Sequence, residues 1–139
     1  MIAVRLAGPG DAPVLAEMRY AFRSEMAVPT EPETRFLERV ARWLANRLGG
    51  GVWTGWIACA SGDPVGLVLV QLVEKVPNPV PEAEYIGYVS SLYVRPRWRG
   101  RAIPRGPAAV IGASRAATIG CVDKYVLPRR EVRPWPCTC

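Results

Sequence analysis

Hydrophobic residues in the first 30 positions change from strand spacing to helix spacing. Residues 2–6 alternate weakly and predict a first strand, which Gly8-Pro9-Gly10 ends. Asp11 is placed to cap a helix whose apolar residues recur every three to four positions, at Leu15, Met18, Phe22 and Met26. We expect this apolar stripe to pack in the core.

A second helix is predicted between residues 30 and 48. Thr30-Glu31-Pro32-Glu33 has the spacing of a capping box, with Pro32 inside the first turn. The apolar positions that follow also have helical spacing: Phe36, Leu37, Val40, Leu44 and Leu48. The glycines at 49–51 are expected to end the helix.

Two apolar runs after the glycines predict an antiparallel hairpin. The runs are 52–60 and 65–73, and Ser61-Gly62-Asp63-Pro64 joins them as a tight turn. Trp53 and Trp56 lie in the first run, where core packing is a better explanation than a ligand platform. Residues 75–81 contain three prolines and predict a stiff extended loop.

The next strand is predicted from about residue 83 to 94, and it runs into a loop of arginines and glycines. Such a junction can point backbone N–H groups at a phosphate. The spacing Leu92-x-Val94-x-Pro96-x-x-Arg99-Gly100 resembles the central strand and following loop of the GNAT superfamily, the acetyl-CoA-dependent N-acyltransferases.

This resemblance implies an α/β fold with a mixed, mostly antiparallel sheet, flanking helices, and two helices after the first strand. It implies transfer of an acetyl group from acetyl-CoA to a primary amine of a small molecule or peptide. Backbone groups of Leu92, Tyr93 and Val94 would hold the thioester. The coenzyme pyrophosphate would bind the N–H groups of the loop, which belong to Arg99, Gly100, Arg101, Ala102 and Ile103.

The loop departs from the family pattern where two glycines are expected. These positions hold Ala102 and Pro104, and proline has no N–H group. A lost hydrogen bond to a charged phosphate lowers affinity about ten- to a hundredfold. We therefore expect weaker coenzyme binding than the family pattern supports.

The base that accepts the amine proton has several candidates. Many family members place Glu or Asp just before the Leu-x-Val of this strand, but this chain has Ser90 and Ser91 there and contains no histidine. A serine hydroxyl does not accept a proton unaided near neutral pH, so Glu84 or a water held by the strand is the alternative to Ser91. The family's first helix lines the acceptor site, which makes candidates of four residues that a solvated surface also explains: Tyr20, Arg23, Ser24 and Glu25.

The resemblance ends after Arg101. No leucine occurs between Leu92 and Leu127, although residues 1–92 contain nine, and the family's last helix and last two strands have no counterpart. Two explanations stay open: a shortened, divergent protein, or a reading frame that slipped near Ala102. We predict one domain over residues 1–127 and an irregular tail over 128–139.

Charge is distributed unevenly along the chain. Residues 1–94 carry eight Lys/Arg and ten Asp/Glu, net −2, whereas residues 95–139 carry ten and two, net +8, which together give the net charge of +6. The alternative function is therefore a non-catalytic basic module for nucleic acid or another polyanion, although no nucleic-acid motif is present, and we do not expect a nucleic-acid partner.

The remaining expectations concern metals, location and assembly. The four cysteines lack paired metal-ligand spacing, so no metal site is expected. The chain starts as a strand without a signal pattern and has no apolar run long enough for a bilayer, which predicts a cytoplasmic protein without membrane partners. An open sheet edge would permit a homodimer.

Overall fold

The computed structural model describes residues 2–81 and 84–100 of the 139-residue chain. This part of the chain contains four strands and two helices, in the order β1 (Ile2–Leu6), α1 (Ala12–Met26), α2 (Glu33–Ala45), β2 (Trp53–Ala60), β3 (Asp63–Glu74) and β4 (Tyr85–Val94). Short 3-10 turns precede α1 and follow β4, at Pro9–Asp11 and Pro96–Trp98.

The four strands form one sheet in the order β1-β2-β3-β4, and each neighbouring pair is antiparallel. Both helices lie between β1 and β2 in the chain. The α/β fold expected from the sequence, with a mostly antiparallel sheet and two helices after the first strand, is thereby confirmed. The predicted loss of the last helix and strands, and the tail over 128–139, fall outside the described residues.

Both helices pack on one face of the sheet, which we call the first face. Leu15 and Met18 of α1 are fully buried there against sheet residues that include Ile57 and Leu67. Phe22 packs against the same cluster, whereas Met26 at the end of the helix is exposed. The apolar stripe of α1 thus has the core role that its spacing predicts.

A second apolar cluster covers the opposite face of the sheet, the second face. Trp56 is 5 % exposed within it, which agrees with its interpretation as a packing residue. The other buried members are small or β-branched residues that suit a pleated surface: Ile2, Ala58, Ala60, Val65, Val68, Val70, Val89 and Val94.

The turn between β2 and β3 contains only two residues. Ser61 and Gly62 both have positive φ angles, of 52° and 89°, and Ala60 pairs with Asp63. This is the backbone that a two-residue hairpin between right-twisted strands requires. β3 therefore begins two residues earlier than the predicted Val65, and Pro64 lies at a register irregularity opposite Cys59.

The predicted capping box before α2 is wrong. The helix begins at Glu33, its preceding residue Pro32 has an extended backbone, and no side chain caps the first turn. The Glu31 carboxylate forms an ion pair with Arg39 at 2.7 Å, while the Phe36 N–H donates to the Pro32 carbonyl. The Phe36 bond is the first regular bond of the helix, so the first turn lacks the side-chain cap that the sequence predicts.

The end of α2 also differs from the prediction. The helix stops at Ala45, and Leu48 lies beyond it in an isolated bridge with Trp53. Leu48 is nonetheless buried in the first-face cluster. Leu48 is apolar because it is buried in the turn after the helix. Helical spacing alone does not distinguish such a residue from one buried on the helix itself.

Asp11 precedes α1 without capping it. Its carboxylate accepts the Gly8 N–H at 2.8 Å and pairs with Arg5 at 2.7 Å, and it makes no cap hydrogen bond to α1. The Arg5 hydrogen bond is the main reason why the pKa of Asp11 lies below its ordinary value. The predicted side-chain cap is therefore replaced by a link between the end of β1 and the turn that starts α1.

Candidate active site

Strand β4 contains a bulge at Ser90. Val70 of β3 pairs with Val89, but its neighbour Leu69 pairs with Ser91, so Ser90 is an extra residue on β4. A bulge of this kind changes which face the following side chains occupy. Val89 accordingly lies in the second-face cluster, whereas Ser91 contacts α1 on the first face.

Beyond the bulge, alternate backbone groups of β4 point away from β3. The Arg95 N–H donates to the Val65 carbonyl, and hydrogen-bonded pairs alternate with non-hydrogen-bonded pairs in an antiparallel ladder. Leu92 and Val94 therefore direct their N–H and C=O groups to the other side of β4, while the groups of Tyr93 face β3. Within the described residues β4 is an edge strand, so this side presents donors and acceptors that no described strand pairs with.

Arg19 of α1 reaches the bulge from the first face. Its Nη1 donates to the Ser91 hydroxyl at 2.8 Å, and Ser91 is 1 % exposed. Burial is the main cause that lowers the pKa of Arg19, the nearby Arg23 lowers it further, and Tyr88 opposes both. A hydroxyl that accepts a hydrogen bond from a guanidinium is poorly suited to be a base, so this geometry favours a positioning role for Ser91.

A second polar cluster joins the end of α1 to the end of β4. The Glu25 carboxylate accepts hydrogen bonds from the Tyr93 hydroxyl at 3.2 Å and from the Arg99 guanidinium at 2.7 and 2.9 Å. The Tyr93 ring packs against Phe22, and burial followed by the Glu25 charge raises the pKa of Tyr93 above its ordinary value. Glu25 is thus an ion-pair partner as well as a partly exposed surface residue.

The loop after β4 is held to the open edge of that strand. Arg99 Nε donates to the Val94 carbonyl at 2.9 Å, and the Arg99 N–H donates to the Pro96 carbonyl at 3.2 Å. Gly100 follows with a φ of 77°, in the left-handed region that favours glycine. Both kinds of donor on Arg99 therefore already have protein partners, and Gly100 is the first loop residue beyond them.

The other expected residues are dispersed. Glu84 is exposed before β4, and its carbonyl accepts the Lys75 N–H at 2.7 Å. Ser24 donates to the Tyr20 carbonyl within α1. Arg101, Ala102, Ile103 and Pro104 lie outside the described residues, so their phosphate-binding role stays a prediction.

Arg19 is a functional candidate that the sequence motifs do not indicate. It follows Leu15 by four positions and precedes Phe22 by three, which places a cation beside the apolar stripe of α1. That spacing is a usable signal, because a charged residue next to a core-facing stripe is partly buried. In residues 2–81 and 84–100, no three potential metal ligands lie together, and no helix has the length and apolarity needed to cross a membrane.

Solved structures share this arrangement of strands and helices. A GCN5-related N-acetyltransferase from Ralstonia eutropha JMP134 superposes with a TM-score of 0.63 at 25% sequence identity, covering 84% of this chain and 74% of its own. The described part of the chain has the GNAT fold. The resemblance inferred from the strand and loop motif is thereby confirmed.

Two further GNAT-like structures extend this comparison. A predicted acetyltransferase from Clostridium acetobutylicum, solved with acetyl-CoA, has a TM-score of 0.63 at 19% identity and covers 94% of this chain and 86% of its own. A ribosomal-protein-alanine N-acetyltransferase from Brucella melitensis has a TM-score of 0.54 at 21% identity, with 84% and 71% covered. No protein-family model matches the sequence, and no curated protein is significantly similar to it.

Proposed function

We propose that this GNAT-fold protein transfers the acetyl group of acetyl-CoA to a primary amine within a ternary complex. The observation that carries the proposal is the bulged strand β4, the edge strand of the described residues, on which the Leu92 backbone groups and the Val94 N–H have no strand partner beside a glycine-containing loop. The likeness to acetyltransferases, one of them solved with acetyl-CoA, supports this function.

In the proposed reaction, the open edge of β4 holds the thioester. An N–H at Leu92 or Val94 donates to the thioester carbonyl oxygen and stabilises the negative charge that develops when the amine attacks. The new C–N bond forms, the C–S bond breaks, and coenzyme A leaves as a thiolate that takes up a proton. Tyr93 contributes its ring to the wall of the site, since its backbone groups belong to the ladder with β3.

The coenzyme pyrophosphate is assigned to the loop from Gly100 onwards. Arg99 anchors this loop, because its side chain bonds to Glu25 and to the Val94 carbonyl and its N–H bonds to Pro96. Arg101, Ala102 and Ile103 would supply the remaining N–H groups, with Pro104 lowering affinity as the sequence predicts. The amine proton is assigned to a water held at the β4 edge, with Glu84 as the alternative acceptor.

Calorimetric titration of the folded protein with acetyl-CoA tests this proposal, with free coenzyme A as the comparison. We expect saturable binding that strengthens when Ala102→Gly and Pro104→Gly are combined, because the loop regains an N–H group and its glycines. Arg42→Gln, on the exposed side of α2, is the matched control and should bind like the wild type. A folded protein that does not bind acetyl-CoA would overturn the proposal.

The basic binding module gains no support from the described residues, because its charge lies mostly beyond Gly100. A cytoplasmic location and a homodimer stay predictions of the sequence. Sedimentation of the purified protein would measure the oligomeric state directly.

A further inference from the structure

Arg19 places a positive charge beside the bulge without a carboxylate partner among the described residues. Three ion pairs are found in that part of the chain, and they involve Arg5, Arg39 and Arg99. The Arg19 guanidinium has five N–H donors, and within the described chain one of them donates to a neutral acceptor, the Ser91 hydroxyl. The Phe22 ring lies 5.7 Å from the guanidinium carbon and attracts the cation, but no described carboxylate neutralises its charge.

The surroundings of Arg19 increase this positive potential. Arg23 lies one turn further along α1 and is exposed, and its Nη1 contacts the Met26 sulfur rather than a carboxylate. Glu25 on the same helix is already bound by Arg99. A partly buried guanidinium next to a second arginine gains most from an anion that supplies charge and acceptor oxygens together.

The position is also accessible. Arg19 is half-buried rather than sealed in the core, and Tyr88, which lies near it on β4, is 38 % exposed. Ser91, whose hydroxyl accepts the hydrogen bond from Arg19, directly precedes Leu92 in β4, and the Leu92 backbone groups face the open edge. An anion bound to Arg19 would thus lie close to the edge where the amine must reach the thioester.

We propose that Arg19, with Arg23 adding to the local charge, binds an anionic group of the acceptor, so that the substrate is an amine with a carboxylate or phosphate a few bonds away. This inference rests on the proposed acetyl transfer and specifies its substrate class. Amino acids and aminoalkyl phosphates have the required pairing of amine and anion. Polycationic amines are disfavoured, because like charges beside Arg19 and Arg23 repel.

Matched acceptor pairs test this inference. β-Alanine is compared with β-alaninamide, and phosphoethanolamine with ethanolamine, by mass spectrometry of the acetylated product. The preference for the anionic member, taken as a ratio of kcat/KM values, is measured for the wild type and for Arg19→Gln. Dividing the wild-type ratio by the Arg19→Gln ratio cancels the effect of the different basicities of the two amines in a pair. Comparing the two pairs distinguishes a carboxylate from a phosphate.

We expect the preference to fall about ten- to a hundredfold in Arg19→Gln, the range for one charge-assisted hydrogen bond. Arg19→Lys should keep part of the preference because it retains the charge, and Arg42→Gln should keep all of it. Thermal unfolding of each variant shows that it is folded. An unchanged ratio in a folded Arg19→Gln protein overturns the inference.

The two proposals fail in different ways. If acetyl-CoA binds and amines are acetylated without an anion preference, the substrate class is wrong and the proposed function stands. If no amine is acetylated, binding of β-alanine and phosphoethanolamine is measured by calorimetry in the presence of coenzyme A. Binding that Arg19→Gln abolishes supports the anion site without the reaction, and absent or equal binding overturns it.

Discussion

The carboxylate of Glu25 lies 2.7 Å from Nη2 of Arg99, which joins the last turn of α1 to the loop that follows β4. Both side chains are partly exposed, Glu25 at 39 % and Arg99 at 47 %, so water screens their attraction. The pair therefore fixes the position of the loop more than it adds to the stability of the fold.

A double-mutant cycle with Glu25→Gln and Arg99→Gln should give a coupling energy below about 1 kcal/mol, as measured for exposed ion pairs. Urea unfolding of the four proteins supplies the values. The Glu31–Arg39 pair, which joins a residue just before α2 to that helix, is the matched control, because it has the same 2.7 Å separation and is also partly exposed. A coupling energy above about 2 kcal/mol would contradict this description of the pair as screened.

Tyr93 should make stability depend on pH in the alkaline range. Its pKa is raised in the fold, so the neutral hydroxyl is favoured there, and the contribution is complete below the ordinary value of 10.0 and is lost as pH rises above it. Tyr93→Phe keeps the ring beside Phe22 and should cost about 1 kcal/mol at neutral pH through the lost hydrogen bond to Glu25. Urea unfolding between neutral and alkaline pH should show this difference shrinking above pH 10.0; parallel curves would contradict the expectation.

Removing the Ser91 hydroxyl should destabilise the protein. Ser91→Ala removes the acceptor of the Arg19 Nη1 donor at a partly buried site, which should cost about 1 kcal/mol. Ser24→Ala is the control, since that hydroxyl only bonds back to the Tyr20 carbonyl of its own helix and alanine is the better helix former. Equal free energies of unfolding for the two variants would show that the Arg19–Ser91 bond contributes nothing specific.

Close packing between β3 and β4 should make Gly66 sensitive to enlargement. A Cβ atom at Gly66 would lie 3.1 Å from the Tyr93 carbonyl oxygen, so Gly66→Ala has to shift backbone and should cost about 1–3 kcal/mol. The same shift disturbs the strand proposed to hold the thioester, and we expect weaker acetyl-CoA binding by calorimetry.

Gly10→Ala is the matched control for that substitution. No atom lies within 4 Å of a Cβ added at Gly10, and this glycine is not among those with a positive φ angle. We expect unchanged coenzyme affinity in this variant. If both substitutions changed the affinity for acetyl-CoA equally, the spacing between β3 and β4 would have no specific effect on the site.

Local patterns in the sequence were sufficient to predict most of the secondary structure. The three- to four-residue spacing through Leu15 and Met18, and the turn residues at Ser61 and Gly62, determine structure over short distances and led to the correct elements. The capping box before α2 failed because the helix begins at Glu33 with Pro32 as its N-cap residue, so Thr30 and Glu33 do not occupy the two positions of a box.

The candidate site was harder to predict because its contacts join distant parts of the chain. Arg19 and Ser91 are 72 residues apart, and Glu25 and Arg99 are 74 apart. The family motif indicated a strand that ends at Val94 and runs into a loop, and the structure has β4 and a 3-10 turn there. The resemblance named Glu25 as a possible acceptor-site residue, but it indicated neither the bond of Glu25 to Arg99 nor the bond of Arg19 to Ser91, since no local spacing encodes a long-range pair.

Because Ser90 is an extra residue in β4, the alternation of side chains between the two faces of the sheet shifts by one position there. Val89 and Val94 therefore lie on the second face of the sheet, whereas Ser91 and Tyr93 lie on the first face. A substitution scan along β4 should show that the positions tolerant of hydrophobic residues do not follow one unbroken alternation. If β4 is aligned without a gap to a strand that lacks the bulge, the residues on one side of Ser90 are matched with residues that face the opposite side of the sheet. The one-residue insertion thus lets a single strand contribute to the second-face core at Val89 and to the proposed acceptor side at Ser91.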